Sequence, residues 1–107
     1  MLIDFYKIKE SEFENMNGGA GTVFAKMFSD KFARVIVSRI PSGGSIGKHV
    51  QKTGNDLNFV ASGTGVAFCD GKQEKLIPGV CHICPKGSEH LIINDGKEDL
   101  VLYTVIF

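Results

Sequence analysis

The chain has 107 residues, with twelve basic and twelve acidic side chains and 43% apolar residues. That length suffices for one core that folds unaided, while balanced charge without long like-charged runs lacks the footprint that nucleic acid or an anionic bilayer needs. No apolar stretch is long enough to span a membrane or to serve as a signal-peptide core, so a cytoplasmic location is expected. The three cysteines, an odd number, fit reduced thiols better than a disulfide framework.

Residues 9–21 form a polar, glycine-rich lead-in in which one helical turn is expected around 11–16. Apolar or alternating runs then predict strands over 23–28, 32–40, 57–61, 65–69, 80–84, 90–93 and 100–107. Turn chemistry separates them: Asp70-Gly71 and Asp95-Gly96 favour positive φ, and Ser62-Gly63-Thr64-Gly65 and Ile77-Pro78-Gly79 interrupt the pattern. Short strands at this rhythm define an all-β sandwich or barrel, but periodicity does not choose its topology. The last run is apolar at almost every position, which fits burial on both faces or an ordinary inner strand. With no repeat or linker visible, residues 1–107 read as one domain.

Within this frame, one segment runs from Gly43 through His49, Gln51 and Asp56 to Gly63. A second runs from Gly79 through Pro85, Gly87 and His90 to Asn94. The spacing of these positions over 43–94, about half the chain, resembles the two-part cupin signature. The resemblance implies a double-stranded β-helix, a jelly-roll barrel of two facing antiparallel sheets with the ligand inside. It further implies a divalent metal (Fe, Mn, Ni or Zn) held at His49, Gln51, Asp56 and His90, and a homodimer. Two positions depart from the pattern, which expects His where Gln51 stands and Glu where Asp56 stands.

Both departures change the chemistry. An amide oxygen at Gln51 is a poorer donor than imidazole to Zn, Ni or Cu, and it favours harder ions such as Mn. Asp56 withdraws the carboxylate by about 1.3 to 1.5 Å relative to Glu, so the backbone has to come closer. His49, Asp56 and His90 still make two imidazoles and a carboxylate, a set that suits non-haem Fe(II) and leaves positions open. Strand parity places His49 and Gln51 on one face, and Asp56, Asn58 and Val60 together on another, with Asn58 a candidate pocket residue. The bland alternative is a hydrogen-bonded polar floor that binds a small ligand without metal, or nothing.

Other signals carry less. Cys81 and Cys84 are three apart, so on a strand they face opposite ways and cannot grip one ion; buried thiols are the expectation there, and Cys69 reads as structural. The Gly18-Gly19-Ala20-Gly21 stretch precedes a strand and lacks a following Lys-Ser or Lys-Thr pair, so no nucleotide cofactor is expected. Lys48, beside His49, is a candidate contact for a ligand carboxylate at the barrel mouth. The resemblance implies two function classes: a metal-dependent enzyme of dioxygenase, isomerase, epimerase or decarboxylase type, or a metal-free module that binds a sugar or small acid for sensing.

Overall fold

The computed structural model describes all of residues 1–107 and contains ten strands and two short 3-10 turns. In chain order the strands are β1 Ser11–Glu14, β2 Thr22–Ser29, β3 Arg34–Ile40, β4 Ser45–Val50 and β5 Asp56–Ser62. They continue as β6 Gly65–Cys69, β7 Lys72–Leu76, β8 Cys81–Cys84, β9 Glu89–Ile93 and β10 Leu100–Ile106. A six-stranded sheet, in the order β1-β2-β3-β10-β5-β8, faces a four-stranded sheet, β4-β9-β6-β7. Every pairing is antiparallel, and the jelly-roll expectation is met.

The chain packs as its alternation dictates. Val23, Ile40, Leu76, Ile92, Leu100 and Leu102 are buried between the sheets, each drawn from the inward set of its strand. β10 lies between β3 and β5, with Leu100, Leu102 and Thr104 buried and Tyr103 half-exposed. It is therefore an inner strand with one buried face. On its outer side Val37, Tyr103, Phe59 and Cys81 stand in register across β3, β10, β5 and β8. No helix is long and apolar enough to cross a membrane.

Three local expectations are corrected. Residues 11–14 pair with β2 as a strand rather than starting a helical turn, and the turn that does form is Met16–Gly18. The neighbouring strand supplies hydrogen bonds that a four-residue helix could not supply for itself. Lys72–Leu76, which carries no strand signal in the sequence, is an edge strand whose lysines remain in water. Asp70-Gly71 makes the tight hairpin its φ values of 49° and 81° require, whereas Asp95-Gly96 lies in a wider loop. That loop is held from inside by buried Asn94, which donates to the Ile40 and Glu98 carbonyls at 2.7 Å and accepts from Gly96 N–H at 2.9 Å.

Candidate functional site

A cavity of about 500 Å³ opens between the sheets. His49, Gln51, Asp56, Asn58 and His90 all line it, so all five residues singled out in the sequence border one space. Apolar side chains such as Val23, Ile36, Ile46 and Ile92 make much of the remaining wall. This combination of an apolar wall and a few placed polar groups is what small-molecule pockets need.

Each polar residue arrives by a different local device. β4 and β9 lose register between Ile46 and His49, where β4 carries an extra residue, and His49 is left directly opposite His90. Gly47 within that irregularity offers its carbonyl to His49 Nδ1 at 2.8 Å. A carbonyl only accepts, so His49 donates from Nδ1 and a neutral ring presents a bare Nε2. Asn17 Nδ2 lies farther from the same nitrogen, at 3.3 Å. On β5, Asp56, Asn58 and Val60 share the inward face. Asn58 accepts from the Thr104 hydroxyl at 2.7 Å, which fixes its amide.

His90 Nε2 is the meeting point. It lies 3.1 Å from His49 Nε2 and 3.3 Å from Asp56 Oδ2. Burial, with His49 and His82 adding to it, pushes the His90 imidazole down to about 4, so it is neutral in ordinary buffer. Burial pushes the Asp56 carboxyl up, partly offset by Asn58 and the neighbouring histidines. Asp56 Oδ1 is buried with no hydrogen-bond partner. A buried oxygen of this kind is costly unless something electropositive reaches it.

Behind His90 stands a residue that sequence reasoning passed over. His82 Nε2 is 3.0 Å from His90 Nδ1, and His82 Nδ1 is 2.6 Å from Glu74 Oε1. His82 falls within the Cys81–Cys84 strand, where the cysteine spacing drew attention away from it. The available signal was parity, since His82 is the inward partner of Cys84 on an otherwise apolar strand. Of the two thiols expected to be buried only Cys84 is: Cys81 faces away from it and is half-buried, while burial, with Cys69 alongside, pushes the Cys84 thiol up to about 12.

Lys48 does not take part. It is exposed and pairs with Glu89 at 3.4 Å, whereas the cationic side chains bordering the cavity are Arg34 and Lys52. No group of three or more His, Cys, Asp or Glu side chains stands arranged as a metal site. What the site offers is two imidazoles and a carboxylate directed at one another around a single nitrogen, with an orphaned carboxylate oxygen beside them.

A two-sheet jelly roll with a polar-floored cavity and this motif spacing is a cupin architecture, and the chain belongs to the cupin family, whose domain model matches residues 36–106. It is 29% identical over 115 residues to the oxalate-binding protein of Thermotoga maritima, covering 99% of this chain and 93% of that protein. The crystal structure of a predicted oxalate decarboxylase from Thermotoga maritima matches with a TM-score of 0.92 at 27% identity, covering 100% of this chain and 98% of the other. KdgF from Halomonas sp. matches at a TM-score of 0.77 and 14% identity over 94% of this chain and 87% of its own. At that identity the likeness concerns the fold alone.

Proposed function

We propose that this cupin binds a small carboxylic acid of the oxalate class through a divalent ion held by His49, Asp56 and His90. The observation that carries the reading is the convergence of His49 Nε2 and Asp56 Oδ2 on His90 Nε2, at 3.1 Å and 3.3 Å, on the cavity wall. Two imidazoles and a carboxylate brought this close in a buried wall are the donor set that would hold such an ion. The orphaned Asp56 Oδ1 is a further oxygen for it. Gln51, buried on the same wall, is the fourth donor, and its neutral amide favours Mn or Fe(II) over Zn or Ni.

A divalent ion supplies a Lewis acid that two carboxylate oxygens can chelate. The chain's own residues do the rest. Apolar Ile36, Ile46 and Ile92 exclude water and strengthen every charge interaction inside. Arg34, on the cavity lining and near enough to act on the Asp56 carboxyl, supplies a guanidinium fork for a second carboxylate. The names of the two Thermotoga maritima proteins support this choice of ligand class. A second reading, favoured by the lack of a finished metal cage, is a metal-free polar floor that binds a small molecule without catalysis.

Calorimetric titration with oxalate separates the two. Protein loaded with Mn and desalted is expected to bind oxalate at one site, to lose that binding in EDTA, and to bind about tenfold more weakly as Arg34→Ala, a difference of about 1.4 kcal/mol. Equal binding with and without EDTA supports the metal-free floor. Absence of binding in both states rejects oxalate as the ligand.

A further inference from the structure

We infer that Glu74 and His82 are positioning residues that hold the proton of His90 on Nδ1 and keep its Nε2 lone pair bare toward the cavity. The functional consequence rests on the ion reading above; the tautomer itself does not.

The inference follows from counting donors along one hydrogen-bonded line. The Glu74 carboxylate only accepts, so at 2.6 Å the Nδ1–H of His82 donates to it. A neutral His82 is then left with a lone pair on Nε2, which faces His90 Nδ1 at 3.0 Å. One of those two nitrogens must carry a proton, and it is His90 Nδ1. A neutral imidazole has only one N–H, so His90 Nε2 is bare. The opposite arrangement needs a full imidazolium at His82, whose side chain is 0% exposed and whose ring stacks on His90 with centroids 5.3 Å apart. Placing a charge there is the costlier choice.

Without this line the balance reverses. His49 Nε2 and Asp56 Oδ2 are both electron-pair donors close to His90 Nε2, and both would accept an N–H from it. A proton settled on Nε2 would block the nitrogen that the cavity needs. His82 competes with them for the single proton of the ring, because its own Nδ1–H is committed to Glu74 and its Nε2 faces His90 Nδ1 as an acceptor at 3.0 Å. The topology allows it because β7 and β8 are edge strands of opposite sheets, joined by a short connection, so the Glu74 and His82 side chains meet where the two sheet edges come together. Carboxylate–histidine lines of this kind orient metal-binding imidazoles and are commonly worth 10- to 100-fold in affinity.

The test reads the tautomer in metal-free protein from two-bond nitrogen–proton correlations of the imidazole rings. Wild type is expected to show His90 protonated on Nδ1. His82→Phe, which removes the acceptor, is expected to move the proton to Nε2, and His82→Gln, whose amide oxygen accepts the same proton, to restore it to Nδ1. Glu74→Ala, at a half-exposed position that avoids any risk to the core, is expected to give a mixture. The Mn dissociation constant should rise about 10- to 100-fold in His82→Phe and stay within about threefold in His82→Gln. Wild type carrying the His90 proton on Nε2, or His82→Phe leaving it on Nδ1, overturns the assignment. Wild type with the stated tautomer but no Mn binding leaves the positioning role intact and removes the ion reading instead.

Discussion

Gly47→Ala is expected to lower stability by about 3 kcal/mol and the thermal midpoint by about 10 to 20 °C. A Cβ at this position would lie 2.1 Å from the Asn17 carbonyl oxygen and 2.7 Å from Gly19 N, all of it backbone that cannot turn aside. The fit is reciprocal, since a Cβ on Gly19 would lie 2.2 Å from the Ser45 oxygen. Two glycines therefore let the Met16–Gly18 turn lie against β4, and Met16 packs on the core there. To make room for a methyl group the turn must lift, exposing Met16 and drawing the Asn17 amide away from His49 Nδ1. Thermal denaturation in EDTA checks the stability change apart from any ion. A midpoint within a degree or two of wild type would mean that the turn does not bear on β4 in solution.

In the metal-free protein His90 alone is expected to withdraw about 3 kcal/mol of stability as pH falls from 6.5 toward 4. His90 titrates near 6.5 when the chain is unfolded and at about 4 when folded, because its ring is buried beside two other histidines. Within that window the unfolded chain binds the extra proton, so stability rises with pH and is fully present above 6.5. Asp56 acts in the opposite sense. Its carboxyl is raised by burial, so it favours the fold while protonated and withdraws that support as pH climbs above the unfolded carboxyl value near 4. The two slopes oppose each other above the unfolded carboxyl value, so the His90 effect is read from the difference between wild type and a His90 variant between about pH 5 and 6.5. Urea midpoints measured across that range in EDTA should fall with acid in wild type relative to His90→Gln. Equal slopes in the two proteins would show that His90 is not held neutral by burial.

Much of the barrel is legible in the sequence because its inner strands carry their instructions locally. The apolar run at 100–107 marks a strand, although which of its faces is buried shows only in the structure, and Asp70-Gly71 marks the tight turn it makes. The strands that escape are those whose pattern is governed by position in the sheet. Lys72, Gln73 and Lys75 are polar because β7 is an edge, and β4 is obscured by Gly47 and the register change that follows it. The site divides in the same way. Parity groups His49 with Gln51 and Asp56 with Asn58, the cupin resemblance implies that His49, Gln51, Asp56 and His90 converge, and all five line one cavity. His82 and Glu74 meet only because β7 and β8 belong to opposite sheets whose edges come together, a relation that no window along the chain contains. Arg34 emerges similarly, from the cavity lining rather than from any motif.

If His49, Asp56 and His90 hold a divalent ion, untagged protein purified without chelator carries it, and elemental analysis reads it. About one equivalent of Mn or Fe per chain is expected, absent from a His49→Ala, His90→Ala double variant that keeps its fold. Metal no higher in wild type than in that variant, even after incubation with Mn, Fe, Ni and Zn in turn, would contradict the ion reading and leave the polar floor without an ion.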